Sequence, residues 1–411
     1  MNDKYLLNEA ERCLKCKNAR CQKHCPIATP IPEVIQLFQE NKLHEAGAVL
    51  FNNNPLSAIC AIVCPHETQC KGNCIKGIKD EPISFCDIEH FISEKYLEEL
   101  TIEKAPNNGH RIAIVGSGPA GITAAIILAQ KGYNVTMFEM HDRIGGVLTY
   151  GIPEFRLPRD IINHLEAKLI QLDVKIRPNT IIGPVITLDK LLSDGYHAIF
   201  IGTGVWNPKT LNIKGETLGH AHYAIDYLKN PSVYRLGERV CIIGAGNVAM
   251  DAARSAKYHG SKDVTVYYRR GIDEMTATKA EIHEAREEGV IFNVYKSPVE
   301  ITDEGVIFAD THLVTQEDGS VKLETVPNSE KLYPCDSVII AISQVPRNNI
   351  VATSPSLQTK YGLLVTDERG HTTKQGVFAC GDVVSGAKTV IEAVVHAKLV
   401  AESIDEYCSS L

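Results

Sequence analysis

The stretch from Arg111 to Glu139, RIAIVGSGPAGITAAIILAQKGYNVTMFE, decides the fold. Ile112–Val115 is a short apolar run of the kind that forms a buried parallel strand. Gly116-Ser117-Gly118-Pro119-Ala120-Gly121 follows at once and opens a helical run to Gln130. A second strand, Val135–Phe138, ends on Glu139, 23 residues after Gly116. The three glycines do different things. Gly116 permits the tight turn, Gly118 lets backbone approach a pyrophosphate, and Gly121 lets helix and strand pack closely. The helix N-terminus offers N–H groups and a positive dipole end to phosphate, and Glu139 can accept hydrogen bonds from ribose hydroxyls. A Gly-rich turn alone carries little; strand, turn, helix, second strand and terminal acid together define a dinucleotide-binding unit.

Working outward, 411 residues suggest about three domains. A hydrophobic content of 44% with 22% charged residues is that of a globular protein. A net charge of -8 gives no reason to expect nucleic-acid binding. No apolar run is long enough to span a bilayer, and MNDKYLLNEAER has no signal-peptide core, so no membrane role and a cytoplasmic location are expected.

Eight of the thirteen cysteines lie between Cys13 and Cys74. The first four read Cys13-x2-Cys16-x4-Cys21-x3-Cys25-Pro26, and the second four Cys60-x3-Cys64-Pro65-x5-Cys70-x3-Cys74. Helical patterns at Glu33–Gln39 and Leu43–Phe51 lie between them, and a third at Ile88–Tyr96 follows. In a reducing compartment clustered cysteines hold metal more often than disulfides. Four cysteines at short spacing suit tetrahedral zinc. The Cys-Pro pairs and two interleaved sets favour iron–sulfur clusters with crossed ligation, although the middle x4 departs from the x2 of the bacterial ferredoxin run.

Residues 101–110 read as a polar linker and domain boundary. Gly145–Pro153 reads as an ordered loop, not a helix, and its place just after Glu139 favours a cofactor contact. A helix near Ile161–Gln171, a strand near Val174–Arg177 and a buried strand in Ala198–Gly204 follow. Residues 239–251, RVCIIGAGNVAMD, form a second strand–GxG–helix unit, with Ala249 at the third fingerprint position. Its second strand, Val264–Tyr268, ends on Arg269-Arg270 in place of an acid. Arginine there suits a 2′-phosphate, though a solvated pair at a strand end is the plainer alternative. A buried strand in 336–343 and a strand ending at Gly381-Asp382 come next, with a helix from Lys388-Thr389-Val390 to about Ser403. A carboxylate at a strand end beside a helix N-terminus suits a polar ligand group. Because this strand follows the second nucleotide unit, one nucleotide domain is interrupted by another.

The two cysteine quartets, GSGPAG, GGVLTYGIPEFRLP, GAGNVAMDAAR, YYRRGIDEM and FACGDVVSGAKTVIEAV together make the chain resemble a known family. It is that of the glutamate synthase small subunit and the NAD(P)H-oxidising part of dihydropyrimidine dehydrogenase, and size and layout are closest to the stand-alone bacterial subunit of the latter. The resemblance implies an α/β protein: an all-α iron–sulfur domain over 1–105, an FAD domain over 106–236 and 342–411, and an NAD(P)H domain over 237–341. It implies FAD held by Gly116, Gly118, Pro119, Ala120, Gly121, Glu139, Gly146, Val147, Arg156, Gly381, Asp382, Thr389 and Val390. It implies NADPH, or alternatively NADH, held by Gly244, Ala245, Gly246, Asn247, Val248, Arg269, Arg270, Ala341, Ile342 and Ser343; many relatives have Asp in place of Asn247. It implies two 4Fe–4S clusters, one on Cys13, Cys16, Cys21 and Cys74, the other on Cys25, Cys64, Cys70 and either Glu89 or Cys60. The expected function is electron entry: NAD(P)H oxidation through FAD, and single electrons passed through the clusters to an FMN-containing barrel subunit. A free-standing reductase of ferredoxin or another acceptor, and a non-catalytic redox or nucleotide sensor, are the alternatives.

Overall fold

The computed structural model describes residues 3–316 and 320–411. It opens with helices α1 (Asp3–Glu11), α2 (Arg20–Lys23), α3 (Ile31–Gln39), α4 (Leu43–Asn53), α5 (Ser57–Val63) and α6 (Phe85–Glu99). The first nucleotide unit begins with β1 (Arg111–Val115), α7 (Pro119–Gln130), β2 (Asn134–Phe138), α8 (Arg159–Gln171), β3 (Lys175–Arg177) and β4 (Ala198–Ile201). Then come β5 (Ala221–Tyr223), β6 (Arg239–Ile243), α9 (Asn247–Tyr258), β7 (Asp263–Tyr268), α10 (Lys279–Glu287) and β8 (Ile291–Val294). Strands β9 (Lys296–Thr302), β10 (Gly305–Thr315), β11 (Val321–Thr325), β12 (Lys331–Pro334) and β13 (Ser337–Ile340) follow. The chain ends with β14 (Val377–Ala379) and α11 (Val390–Ser409).

Two compact units result. Described residues up to 149, with 154–205 and 345–411, form the first; residues 150–153 and 206–344 form the second. The first contains a parallel sheet in the order β14-β4-β1-β2-β3, so a strand from the chain's last segment completes a sheet begun near residue 111. The second contains a parallel sheet in the order β5-β13-β6-β7-β8 and an antiparallel sheet β9-β10-β11, with β12 also pairing β10. The fold is mixed α/β with a helical N-terminal region and two Rossmann-like sheets.

The sequence explains these elements. Ile112 to Val115 are all buried, as a central parallel strand requires. Helix α7 is apolar nearly all round and is buried over most of its length. In the helical region Leu6, Val34, Ile35, Leu50 and Ile88 form a core, against which Cys13, Cys21 and Cys74 pack. Two expectations are corrected. Gly145–Pro153 is not wholly loop: Leu148 and Thr149 N–H groups bond the Gly145 and Gly146 carbonyls and start a helical turn over Val147–Tyr150. Helix α11 runs on to Ser409, because Ala397, Val400, Ala401, Ile404 and Cys408 continue a buried stripe at helical spacing. Among the described residues no single helix is long and apolar enough to cross a membrane.

Candidate cofactor-binding sites

The helical region gathers the N-terminal cysteines into two groups. Cys13, just after α1, Cys16, Cys21 within α2, and Cys74 line one cavity with Leu14, Arg20 and Ile75. All four are partly exposed. Burial pushes the Cys13 and Cys21 thiols up, Cys21 to about 11, and the neighbouring thiols add to the effect. Such thiols become thiolates when a metal takes the proton's place.

The second group lies between α5, the following loop and the first turns of α6. Cys64 caps α5 and is hydrogen-bonded to Cys60 one turn earlier; that bond and burial push its thiol far up. Cys70 is buried, and its electrostatic neighbours are Glu89, Cys86 and Cys25. The Cys25 thiol lies 3.3 Å from the Thr29 hydroxyl. Glu89 is 7% exposed, and burial alone raises its carboxyl to about 8. An interior carboxylate without a counter-charge is costly unless a metal or a proton compensates it. Both Cys60 and Glu89 therefore stand at this site. Cys86, passed over in the sequence, stands there too; its i,i+3 spacing from Glu89 on α6 was the available signal. Among the described residues no three His, Cys, Asp or Glu side chains surround a single ion. A cluster asks for something else, because each thiolate binds a different iron and the thiolates stand farther apart.

At the first sheet, Gly116 has φ +98°, and a Cβ there would stand 2.6 Å from the Gly202 carbonyl oxygen. A Cβ on Gly121 would stand 2.0 Å from the Gly116 oxygen, so strand and helix touch through it. A Cβ on Gly118 would meet nothing nearer than the Gly146 Cα at 4.0 Å; the turn is open where a phosphate would sit. Pro119 and Ala120 start α7, whose first N–H groups face that opening. Glu139 is buried at the end of β2. Its Oε2 accepts from the Ser117 N–H at 3.0 Å and hydroxyl at 2.5 Å, and its Oε1 from the His141 N–H at 2.9 Å. Burial raises the Glu139 carboxyl, but the bonds from His141 and Ser117 outweigh it and hold the group below its ordinary value. His141 was not foreseen as its partner.

Gly146, with φ +55°, would bring a Cβ 2.8 Å from Gly118, so the segment leading to Val147 packs on the fingerprint turn. Arg156 is half-buried ahead of α8. At the far side of the sheet Gly381 has φ +74° and leads into Asp382. Burial raises the Asp382 carboxyl to about 6, although its Oδ1 accepts the Lys388 N–H at 3.2 Å. Thr389 caps α11 in a capping box with Glu392, and Val390 is the first helical residue.

The second sheet repeats the first design. Gly244 has φ +138°, and a Cβ there would stand 2.2 Å from the Ala341 oxygen. Gly246 caps α9, which starts at Asn247-Val248, and Ala249 is fully buried. The Thr278 N–H donates to Asn247 Oδ1 at 2.9 Å, which ties the start of α9 to the start of α10. Either Asn or Asp can accept this bond, so the departure from Asp costs the tie nothing. Arg269 is exposed, and Arg270 lies 3.3 Å from Glu274. Beyond β13, Ala341 and Ile342 lead to Ser343, which holds φ +130°, a conformation that strains a non-glycine residue.

A helical cysteine domain joined to two dinucleotide folds defines an iron–sulfur flavoprotein of the pyridine-nucleotide class, and the comparisons agree. Residues 110–398 match the pyridine nucleotide-disulphide oxidoreductases, and residues 1–101 match dihydropyrimidine dehydrogenase domain II, 4Fe-4S cluster. The chain belongs to this family, as an NAD(P)H-dependent FAD oxidoreductase with a 4Fe–4S domain that serves electron transfer. It is 30% identical to the glutamate synthase (NADPH) small chain of Escherichia coli K12, over 96% of this chain and 90% of that one. It is 31% identical to the NAD-dependent dihydropyrimidine dehydrogenase subunit PreT of the same organism, over 98% and 94%. It is 33% identical to the NADP(+)-dependent formate dehydrogenase subunit beta of Moorella thermoacetica, over 95% and 60%. Mycobacterium tuberculosis FprA in complex with NADPH has the same fold, with a TM-score of 0.64 at 19% identity over 74% of this chain and 85% of that one.

Proposed function

We propose that this chain is the electron-entry component of a larger redox system, with FAD at the first sheet, NADPH at the second and two 4Fe–4S clusters in the helical domain. One observation carries the reading: a cavity lined by Cys13, Cys16, Cys21 and Cys74 lies in the same chain as two dinucleotide turns. The three-domain division over 1–105, over 106–236 with 342–411, and over 237–341 goes with it, except that residues 206–236 move to the second nucleotide unit, whose sheet includes Ala221–Tyr223.

The residues of the first sheet would hold FAD, which would supply hydride uptake from a nicotinamide and single-electron release, and the cysteines would hold clusters able to take those electrons. The chain's own groups supply place and charge. Gly118 leaves room for the pyrophosphate, and the first N–H groups of α7 meet its charge. Glu139 is fixed by Ser117 and His141 and presents its remaining lone pairs to ribose. Asp382, with a carboxyl near pH 6, exchanges a proton close to neutrality, and the N-terminal end of α11 at Thr389-Val390 favours negative charge beside it. Cys25, Cys64 and Cys70 with Glu89 would hold the second cluster, since Glu89 is a buried carboxylate lacking a counter-charge. Cys60, hydrogen-bonded to Cys64, is the other candidate.

The NADPH preference rests on Arg269, exposed at the strand end that would meet the 2′-phosphate. Arg270 shares its charge with Glu274 and contributes less. The acceptor is proposed to be a partner chain carrying FMN in a barrel. The relatives named as a "small chain" or a "subunit" support this. Anaerobic purification followed by flavin and metal analysis tests the assignment. It expects one FAD and about eight irons per chain. Zinc in place of iron, with acceptor reduction intact, would overturn it.

A further inference from the structure

Within the first unit, two lysines reach from the helices of the first nucleotide sheet to the helical cysteine region. Lys168, on α8, is 9% exposed, and its ammonium donates to the Leu100 carbonyl at 2.6 Å. Leu100 is the C-cap of α6. Lys398, on α11, is half-buried, and its ammonium donates to the Asn53 carbonyl at 2.5 Å. Asn53 is the last residue of α4. Each lysine thus meets a helix end where carbonyls lack intrahelical partners and the dipole is negative. Burial holds both ammonium groups below the ordinary lysine value, so each is seated at a cost that its bond must offset. One such lysine is a common helix cap. Two, reaching from separate helices to separate helices, fix an orientation.

The gripped elements carry the second cysteine group. Helix α4 turns into α5 at Asn54, whose Oδ1 accepts the Leu56 N–H at 2.9 Å. Helix α5 bears Cys60 and ends at Cys64, and α6 bears Glu89. The Ser57 and Ser93 hydroxyls bond at 2.8 Å and tie α5 to α6. A Cβ on Gly47 would stand 2.4 Å from Tyr96, so α4 and α6 pack in close contact. The three helices form one packed piece, held at two points. On the other side, α8 and α11 both pack against α7, whose first turn faces the opening at Gly118. Lys398 lies nine residues along α11 from its cap Thr389, or about 14 Å.

We propose that Lys168 and Lys398 are positioning residues for electron passage between the FAD site and the second cysteine group. The proposal rests on the reading that these sites hold FAD and a cluster. The balance is one NAD(P)H and two oxidised clusters giving NAD(P)+, two reduced clusters and one proton, with the flavin returned to its oxidised form. Electron passage through protein falls off steeply with distance. Hydride transfer to the flavin depends on the nicotinamide and the flavin alone, and neither lysine belongs to those sites. Releasing a lysine therefore slows the second step and spares the first.

The test uses the full-length holoprotein and the variants Lys168→Met, Lys398→Met and Lys398→Arg. Methionine keeps an apolar stem and no donor; arginine keeps donor and charge. Amide exchange should become about tenfold faster at residues 53–64 in Lys398→Met and at residues 95–102 in Lys168→Met, as one lost charge-assisted bond implies. Exchange in β1 and α7 should not change. On anaerobic rapid mixing with NADPH, flavin bleaching should keep its rate, and cluster reduction should slow about tenfold in each methionine variant. Lys398→Arg should restore it, and all variants should keep their FAD and iron. Cluster reduction at the parent rate in both methionine variants overturns the proposal. So does flavin bleaching slowed as much as cluster reduction, which marks a general loosening of the fold. A parent holoprotein with FAD and no iron overturns the cluster reading, and the electron role of the lysines with it.

Discussion

Replacing Gly118 and Gly121 by alanine separates a glycine kept for its ligand from one kept for the fold. At Gly121 the new Cβ would lie 2.0 Å from the Gly116 oxygen and 3.3 Å from the Ile114 side chain. Ordinary contact is about 3.5 Å, so α7 must back away from β1 by more than about 1 Å or the turn must reform. Both elements are buried, and overpacking of this kind costs about 3 kcal/mol. At Gly118 the backbone is already at φ -71° and ψ -173°, which alanine adopts freely, and the nearest atom would lie 4.0 Å away. The small loss of an N-cap glycine and the gain from a stiffer unfolded chain nearly cancel, leaving stability within about 0.5 kcal/mol. The methyl group would nevertheless occupy the space assigned to the pyrophosphate. FAD affinity should then fall about 100-fold, or about 2.7 kcal/mol. Denaturant unfolding of the apoproteins and flavin titration read the two effects apart. If Gly118→Ala destabilises the apoprotein as much as Gly121→Ala, or binds FAD with unchanged affinity, the opening at Gly118 has been misread.

Arg254, 8% exposed, reaches Glu281, Glu284 and Glu288 and clamps α9 to α10; Arg254→Ala should cost about 3 kcal/mol by calorimetric or denaturant unfolding, because Glu281 is left buried. Asp382 holds its proton up to about pH 6 in the folded chain, whereas the unfolded chain releases it near the ordinary carboxylate value. Folding therefore binds the proton, and this group's contribution falls as pH rises through that window. Above about pH 6 the Asp382→Asn apoprotein should exceed the parent by about 1–3 kcal/mol, and the two should converge below about pH 4. Arg269→Ala should raise the Michaelis constant for NADPH about tenfold or more and leave that for NADH unchanged; equal losses would refute the 2′-phosphate contact. Glu89→Ala should alter the iron content or the reduced-cluster spectrum, and if only Cys60→Ala does so, the fourth ligand is Cys60.

How much of this was legible beforehand depended on whether one residue carried its own reason. Gly116, Gly121 and Gly244 sit where backbone approaches backbone, and no other residue fits, so the motif alone placed β1, α7, β6 and α9. The partition of the cysteines came from family resemblance, since spacing could not say that Cys74 joins Cys13 across the intervening helices; α3, α4 and α5 fold between to bring them together. The antiparallel strands β9 to β12 carried no motif, and a register shift between Pro298 and Glu300 breaks the alternation that would have marked them. His141, Glu274 and Cys86 were missed for one reason. Each acts through a neighbour, Glu139, Arg270 and Cys70 respectively, and such a role appears only when the neighbour's surroundings are known.

The central claim, that reducing equivalents enter from NADPH and spread beyond the flavin, is tested most directly by counting them. Anaerobic titration of the purified holoprotein with NADPH, followed in the flavin band and by the spectrum of reduced clusters, gives the electrons taken up per chain. The account predicts uptake of about four, two on FAD and one on each cluster, with cluster signals that grow as the flavin bleaches. Uptake that ends at two, with all bleaching confined to the flavin and no cluster signal, would contradict it.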